Sequence, residues 1–458
     1  MKRFGITVDY AAKPVLDPGF IPFYRWEQAY LSGAKEDFAI AIVRNDEKCA
    51  VLKTKIYGTE AMREADVFYI ERKVKFLLWA KGGFRVILCG RKEIADAVRA
   101  QYQKGGKREF DFKTMGDVYE SAFTVESRDF SDCPPEKDAS VSIGGHTDGC
   151  RIGFDAGGSD RKVSAVIDGK VVYSEEVVWF PKTNADPDYH FAGIVEAFRT
   201  AASKMPRVDA IGISSAGIYV DNRTMLASLF LKVSPEDFEK KVKDIYIRAA
   251  KEIGDVPMLV ANDGDVTALA GAMELGDSAV LGIAMGTSEA AGYVDADGNV
   301  TGWLNELAFA PIDASESAAE DEWSGDIGCG VKYFSQDAVI KLAPAAGIAL
   351  DEALSPAEKL KVVQKEANAG NEKALDIYRS IGAYLAHTLP LYAETYAIRH
   401  LLLLGRVTSG KGGEAMIATC KKILAEEYPA LKIDLCLPDE NSRRVGQSVA
   451  AAGLPQLR

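Results

Sequence analysis

Two stretches of the chain repeat one alternation of apolar and polar positions. Residues 151–173 and 279–301 each contain an apolar run, a tight turn of small and hydroxyl residues, a second apolar run and an Asp-Gly turn. Short apolar runs bounded by turn residues are typical of paired β-strands. The sequence therefore predicts two β-hairpins of the same kind.

Beyond residue 151 the pattern alternates between strands and helices. After the first hairpin come the apolar run VDAIGISSAGIYVD, a helix over 234–253 and a short strand, PMLVAND. After the second hairpin, helical periodicity returns near 333–343, 356–369 and 371–397, followed by the strand HLLLLG and a helix rich in small residues. Such alternation with short loops predicts an α/β sheet covered on both faces.

The first 145 residues have a pattern of their own. A strand hairpin is expected to turn at Asn45 and Asp46, and a buried strand, Gly90 and a helix follow in FRVILCGRKEIADAVRAQY. This segment ends in the polar stretch 127–150, which is the best candidate for a linker. We therefore predict an N-terminal α/β domain over 1–145, whose role the sequence does not assign.

Length and composition limit the class of protein. At 458 residues the chain is expected to form about three domains of roughly 150 residues each. Hydrophobic residues make up 47% and charged residues 27%, as in ordinary soluble proteins. The net charge of −12 argues against a nucleic acid or an anionic membrane surface as the partner. A small molecule is the expected ligand.

The seven cysteines are scattered and never form a CxxC pair. This pattern predicts neither a disulfide framework nor a zinc knuckle, and reduced thiols are the simpler interpretation. The first residues lack the apolar run of a signal peptide, and no apolar run approaches the ~20 residues of a membrane span. We therefore expect a cytoplasmic protein.

The turns of the two hairpins have the composition of phosphate-binding loops. Gly157, Gly158 and Ser159 form the first turn, and Gly286, Thr287 and Ser288 form the second. Glycine allows close approach of a ligand, and turn N–H groups can converge on phosphate oxygens. Asp155, just before the first turn, is placed to hold Mg²⁺ through water, although an Asp-initiated turn is an equal alternative for that residue alone.

Asn262 and Asp263 close the strand PMLVAND and open a helix. A carboxylate at the carboxyl end of a sheet strand lies where open α/β folds bind their ligands, and it can accept a proton from an attacking hydroxyl. Asn262 can bind a neighbouring sugar hydroxyl. Without other evidence a helix N-cap is the likelier role for either residue.

Taken in order, the segments DAGGS, GISSAGIYVD, VPMLVANDGDVTALAGAMELG, GIAMGTS, NELAFAPI, GCGVKYFS and LLLLGRVTSG resemble the ROK family of sugar kinases and regulators. The resemblance covers about residues 151–455. It implies the two-lobed actin/hexokinase-like (ribonuclease H-like) ATPase fold, with a first lobe over 150–265 and a second over 266–458. The C-terminal helix is expected to return to the first lobe.

The resemblance also implies roles for single residues. Asp263 matches the catalytic base, Asn262 and Glu306 match sugar-binding residues, and Gly405 begins the turn beside adenosine. The two glycine turns match the phosphate loops, with ATP and Mg²⁺ as the implied ligands. The implied function is ATP-dependent phosphorylation of a hexose or related sugar, and a homodimer is compatible with it.

The chain departs from the family pattern at four places. Phe309 replaces a histidine that contacts sugar and zinc, and CxCGxxGC is reduced to Cys329. Without the histidine and the other cysteines a four-coordinate zinc site cannot form, so we expect no zinc. Val331 replaces a sugar-binding glutamate, and Ser288 and Arg406 replace glycines of the nucleotide loops.

These departures leave other functions open. A catalytically impaired sugar sensor or scaffold is the main alternative. A DNA-binding regulator is less favoured, because residues 1–145 do not resemble a helix-turn-helix and the chain is acidic. An activator ATPase of the dehydratase type ranks last, since no cysteines are arranged for a shared iron–sulfur cluster.

Overall fold

The computed structural model describes residues 1–137, 143–437 and 440–457, the side chains of 440–445 excepted. Part of the predicted linker, 138–142, therefore lies outside the described residues. Within the described residues, no helix is both long and apolar enough to cross a membrane.

The first 137 residues form a four-stranded sheet with helices packed against it. Its order is β4-β3-β5-β6, where β3 runs antiparallel to β4 and β5, and β6 is parallel to β5. Its elements are β1 (Lys2–Arg3), β2 (Ile6–Thr7), α1 (Phe23–Leu31), β3 (Glu36–Val43), β4 (Cys49–Ile56), α2 (Arg63–Lys81), β5 (Arg85–Cys89), α3 (Lys92–Arg99), α4 (Glu109–Val118) and β6 (Thr124–Arg128). The expected hairpin turns at Asn45–Glu47, and the expected strand and helix around Gly90 are β5 and α3.

A second sheet of five strands has the order β13-β10-β7-β8-β9. Strands β13, β10 and β7 are parallel, and β8 and β9 extend the sheet as an antiparallel meander. Its elements are β7 (Cys150–Ala156), β8 (Asp160–Ile167), β9 (Lys170–Val178), α5 (Pro187–Ala202), β10 (Ala210–Ser215), β11 (Ile218–Val220), β12 (Arg223–Leu226), α6 (Pro235–Asp237), α7 (Ile245–Lys251), β13 (Met258–Asn262) and α8 (Asp263–Leu275).

The single helix predicted over 234–253 is broken. It begins as α6, continues as a π-helical turn over Phe238–Val242, and resumes as α7 after Asp244, whose backbone is not helical. A π turn inserts an extra residue into the helical ladder, which periodicity in the sequence does not reveal.

A third sheet of four strands has the order β15-β14-β16-β17, with β14 antiparallel to β15 and the other pairs parallel. Its elements are β14 (Val280–Met285), β15 (Glu289–Val294), α9 (Gln336–Leu342), α10 (Pro356–Asn368), α11 (Glu372–Tyr392), β16 (His400–Leu404), α12 (Gly410–Glu427), β17 (Asp434–Cys436) and α13 (Glu440–Ala452). Helix α11 ends at Tyr392, not at 397, two residues after an internal proline.

The cores show how these parts join. The largest apolar cluster contains residues of the first and third sheets and of the helices and loops packed on them, among which are Trp26, Trp79, Tyr333 and Tyr384. The second sheet has a separate core. The first 137 residues thus share a core with the segment 281–435, while the boundaries proposed at 145, 150 and 265 remain predictions.

Helix α13 packs on the second sheet at β7, β8 and β10. The approach is close enough that a Cβ on Gly153 would overlap the main-chain oxygen of Ser448, and one on Gly212 would overlap that of Ala451. Only glycine fits at both positions, which explains two glycines in otherwise apolar strands.

Candidate active site

Three parallel strands end side by side at one edge of the second sheet. The register places Asp155 of β7 opposite Ser214 of β10, and Ser215 opposite Asn262 of β13. Carboxyl ends of parallel strands are where open α/β sheets bind ligands. The structure therefore brings the predicted residues of both motifs to one edge.

Asp155 is 5% exposed and accepts a hydrogen bond from Ser214 Oγ at 3.1 Å. Lys162 Nζ lies 3.9 Å from its second oxygen. The pKa of Asp155 is raised to about 6, mainly by burial and also by the Asp263 carboxylate, while Lys162 and Ser214 oppose the shift. The carboxylate is still largely ionised at neutral pH.

The turn Gly157–Ser159 is held by Trp179 and faces solvent. Trp179 Nε1 donates to the main-chain oxygen of Gly157 at 2.8 Å, and its main-chain N–H donates to that of Ser159 at 3.1 Å. A Cβ on Gly158 would lie 2.9 Å from Cε of Lys182, an exposed lysine after β9. A cation therefore stands beside the turn that is predicted to bind phosphate.

Asn262 and Asp263 start helix α8. Asn262 Oδ1 accepts from the Gly264 N–H at 2.7 Å as the helix N-cap, and its Nδ2 donates to the Gly217 oxygen at 2.7 Å. Asp263 is half-buried and accepts from the same N–H at 3.1 Å. Burial raises the pKa of Asp263, while Lys182 lowers it. The capping role is thus filled by Asn262, with the Asp263 carboxylate beside it.

The second turn joins β14 to β15 and is also open. The Gly286 N–H donates to the Ser288 oxygen at 3.0 Å, and the N–H of Gln336 at the start of α9 donates to the Gly286 oxygen at 2.9 Å. Thr287 and Ser288 are exposed. Gly405 has a left-handed backbone at φ 90°, and a Cβ there would overlap the Met285 oxygen, so only glycine fits beside the end of β14.

Glu306 is held in place by the N-terminal segment. Its N–H donates to the Trp79 oxygen at 2.9 Å, and the Asn305 N–H donates to the Ala80 oxygen at 3.0 Å. The pKa of Glu306 is raised to about 7, mainly by burial and also by the charges of Asp263 and Asp265. Glu306 therefore lies within electrostatic range of the candidate base.

Three residues at the places where the chain departs from the family pattern form packing contacts or hydrogen bonds within the protein. Phe309 packs on Trp79 and Phe110, with ring centroids 4.1 and 5.4 Å away. Cys329 is fully buried and its Sγ donates to Asp326 Oδ2 at 3.5 Å. Arg406 is exposed and its main-chain oxygen accepts from Gln364 Nε2 at 2.6 Å. The chain thus fills the surroundings of Phe309 with aromatic rings.

Sequence reasoning missed three charged residues of the site. Lys182 follows β9 without any motif. Asp265 is 3% exposed and accepts from the Tyr293 N–H at 3.0 Å and from Asn305 Nδ2 at 2.8 Å. Glu289 is the first residue of β15, directly after the second turn. The sequence signal for the two acids is their position, because Asp265 lies two residues after Asp263 and Glu289 directly follows Ser288.

A cavity of about 330 Å³ extends from this edge. Asn262 and Asp265 line it together with Gly217, Trp303 and the hairpin turn of the N-terminal segment at 44–48. Arg44 is 4% exposed and its Nη1 donates to the Gly302 oxygen at 2.9 Å. The N-terminal segment, the segment of the second sheet and the segment of the third sheet therefore all line this cavity.

In the part of the chain that the structure describes, His400, Asp434 and Cys436 have ligand atoms within 4.8 Å of one another. They lie at the start of β16 and in β17, whereas Gly405 and the second turn follow the other ends of β16 and β14. This group is therefore separate from the candidate active site.

Comparison with solved structures identifies the fold. The ROK hexokinase from Thermus thermophilus is 19% identical with a TM-score of 0.50, and the match covers 66% of this chain and 96% of that one. A ROK glucokinase from Streptomyces griseus, solved with glucose and AMPPNP, is 19% identical with a TM-score of 0.45, and the match covers 66% of this chain and 98% of that one. A ROK transcriptional regulator homologous to the E. coli MLC protein is 17% identical with a TM-score of 0.48, and the match covers 66% of this chain and 77% of that one.

No family model and no curated protein matches the chain. The chain nevertheless has the ROK hexokinase-like ATPase fold over about two thirds of its length, which confirms the expected fold class.

Proposed function

We propose that this protein is an ATP-dependent kinase that phosphorylates a hydroxyl group of a hexose or a related sugar. The observation that carries the proposal is that Asp155 and Asp263 lie at the same edge of the second sheet, where the Asp263 carboxylate acts electrostatically on both Asp155 and Glu306. Two open glycine turns lie on the two sheets that border this edge. This arrangement supplies both a proton acceptor and places for a polyphosphate.

In the proposed reaction Asp263 accepts the proton of the sugar hydroxyl as its oxygen bonds to the γ-phosphorus of ATP. The bond from that phosphorus to the β–γ bridging oxygen breaks, and ADP leaves. Asp263 suits the role because it is half-buried, forms no ion pair with the described residues, and has a raised pKa. Asn262 fixes the backbone on which it stands.

The surroundings of Asp155 fit a hard cation. Its carboxylate has one hydrogen-bond donor, Ser214, and Lys162 lies at 3.9 Å, so an oxygen remains for a metal-bound water. Mg²⁺ prefers such oxygen ligands and, when bound, offsets phosphate charge. Lys182 and the N–H groups of the two turns would bind the phosphate oxygens.

The main alternative is a sugar-binding sensor or scaffold without turnover. Phe309 favours it, because this side chain packs on Trp79 and offers no polar group to the cleft. Mg²⁺ dependence, a cytoplasmic location and a homodimer remain predictions.

The test is ADP release by the purified protein with Mg-ATP and a panel of hexoses, amino sugars and N-acylated sugars. We expect sugar-dependent release that falls about 10²- to 10⁴-fold in Asp263→Asn, the typical contribution of a general base. Asp188→Asn, an exposed aspartate in the first turn of α5, is the matched control and should keep full activity. Sugar binding without ADP release would favour the sensor.

A further inference from the structure

Strands β16 and β17 bring a histidine, an aspartate and a cysteine together at one end of the third sheet. The parallel register places His400 opposite Asp434, and Cys436 follows two residues later on β17. Alternate residues of a strand point to opposite faces, so these three side chains share one face. Leu435, between the two ligand candidates of β17, is buried in the core on the other side.

The separations of these side chains suit a metal ion. Asp434 Oδ2 lies 3.8 Å from His400 Nδ1 and 3.5 Å from Cys436 Sγ, and the ligand atoms of all three residues lie within 4.8 Å of one another. In a tetrahedral zinc site, bonds of about 2.0–2.3 Å place neighbouring ligand atoms about 3.3–3.8 Å apart. Small side-chain movements are therefore enough for one ion to bind all three residues.

Asp277 fixes the orientation of His400. Its Oδ2 accepts a hydrogen bond from His400 Nε2 at 2.8 Å, while its other oxygen binds Arg399 and the Ser278 N–H. A carboxylate can only accept, so the proton of the ring lies on Nε2 and Nδ1 presents a lone pair. Nδ1 is buried, and among the described residues it has no hydrogen-bond partner. A carboxylate behind the outer ring nitrogen is the usual arrangement of a metal-binding histidine.

We propose that His400, Asp434 and Cys436 bind a zinc ion, with water as the fourth ligand. Imidazole and thiolate favour zinc over Mg²⁺, which prefers oxygen ligands. The side chain of Asp434 is 63% exposed, so the ion can enter from solvent. Burial and the Asp434 carboxylate raise the pKa of the Cys436 thiol, so its proton leaves as the metal binds.

The zinc ion joins the edge of the third sheet to its interior. β17 is a strand of three residues at the edge of that sheet, and the ion links it to β16. β16 begins at His400 and ends beside Gly405, so the ion lies away from the nucleotide turns and takes no part in phosphoryl transfer. The site also differs from the zinc site of the family pattern, to which Phe309 and Cys329 correspond.

Metal titrations of the purified protein, first treated with EDTA, test the proposal. We expect a single Zn²⁺ ion to bind per chain at micromolar concentrations, and an excess of Mg²⁺ not to displace it. Co²⁺ at the same site should give the near-ultraviolet charge-transfer band of a cobalt–thiolate bond. Binding only at millimolar concentrations, displacement by Mg²⁺, or a cobalt complex without this band would overturn the proposal.

Cys436→Ser removes the thiolate at nearly constant size. In this variant the cobalt–thiolate band should disappear, and the affinity for Zn²⁺ should fall by at least about 100-fold, more than for most changes outside the ligand set. Cys133→Ser, at another half-buried cysteine, is the control and should keep the band. A band that survives in Cys436→Ser, or one that disappears in Cys133→Ser, would place the metal elsewhere and contradict the proposal.

Asp277→Ala tests the orientation of His400 without changing a ligand. Loss of the outer carboxylate should lower the affinity for Zn²⁺ about 10- to 100-fold, while the cobalt–thiolate band remains. Asp255→Ala, at an exposed aspartate after α7, is the control and should bind Zn²⁺ like the wild type. Equal affinities of the two variants would mean that His400 is not a ligand, and would overturn the three-residue site.

Discussion

The ring centroids of Trp79 and Phe309 lie 4.1 Å apart, with their planes inclined by 32°. Trp79 belongs to helix α2 of the N-terminal segment, and Phe309 follows Glu306 by three residues. The indole Nε1 also donates to Asp111 Oδ1 at 2.5 Å, which fixes the ring. The N-terminal segment therefore positions the loop that carries a candidate sugar-binding carboxylate.

Trp79→Ala should destabilise the whole protein. Trp79 is 1% exposed, and truncating a buried tryptophan costs about 3–5 kcal/mol. The measurement is urea unfolding followed by circular dichroism. Trp323→Ala is the control, because Trp323 is 72% exposed and its loss should change the free energy of unfolding by less than about 0.5 kcal/mol. Equal losses of stability in the two variants would mean that Trp79 is not packed in the core.

A buried ion network joins the same two regions. Asp326 accepts from Arg72 Nη1 at 2.9 Å, lies 3.1 Å from Lys75 Nζ and 2.6 Å from Arg108 Nη1, and its pKa is lowered to about 2, although burial alone would raise it. Removing one partner of a buried pair leaves uncompensated charge.

We therefore expect Asp326→Asn to lower the free energy of unfolding by about 3–5 kcal/mol. Asp37→Asn removes the exposed pair with Lys55, and there the change should stay below about 1 kcal/mol. Chemical denaturation of both variants measures the difference. An Asp326→Asn protein as stable as Asp37→Asn would argue against a closed network.

Gly286 and Gly405 should respond differently to substitution by alanine. A Cβ on Gly286 would meet only the Ser288 oxygen at 3.7 Å, so Gly286→Ala should fold normally. If phosphate passes this turn, the added methyl group should still weaken ATP binding about tenfold or more, measured by titration with a fluorescent ATP analogue. Unchanged affinity would remove Gly286 from the site.

Gly405→Ala should instead lower stability itself. Its φ of 90° and the overlap with the Met285 oxygen leave no room for a methyl group. We expect a loss of about 1 kcal/mol or more in the free energy of unfolding, with or without nucleotide present. A thermal melt decides this, and a normal melting temperature would contradict the crowded turn.

The stability of the ligand-free protein should fall as the pH rises from about 5 to 8. Burial raises the pKa of Asp155 to about 6 and those of Asp265 and Glu306 to about 7. In this window these three carboxyl groups hold more protons in the folded state than in the unfolded state, and they therefore make the free energy of unfolding decrease with pH. Asp277 and Asp326, with pKa values of about 2, act in the opposite direction only at lower pH.

Denaturation at pH 5 and pH 8 tests this dependence. Asp265→Asn cannot titrate, and its slope with pH should be shallower than that of the wild type. A slope that stays the same in Asp265→Asn would exclude this residue as a source of the effect.

The local parts of this structure were predictable because short patterns determine them. Both hairpins, the strand before Asn262 and the strand and helix around Gly90 follow from runs of neighbouring residues. Asn262 shows the limit of local patterns, since they indicate a helix cap and a ligand-binding position at the strand end as alternatives. In the structure it is the cap and also lies at the sheet edge.

Other features depend on contacts between residues far apart in sequence. Lys182 reaches Gly158 only because β9 folds back on β8, and Glu306 is held by a helix that ends at Lys81. Neither contact has a local pattern. The sequence pattern indicates only a lost polar group at Phe309, whereas its aromatic partners come from the N-terminal segment, to which the sequence assigns no role.

The close fit of helix α13 against Gly153 and Gly212 has a consequence for synthesis. The strand that carries Asp155 is made early, whereas the helix backbone that covers it is made some 300 residues later, at roughly 5–20 residues per second. Until then the face of β7 and β10 that carries Gly153 and Gly212, together with Arg151, Asp155 and Ser214, is uncovered. A chain that stops before α13 therefore leaves this face of the second sheet without its cover.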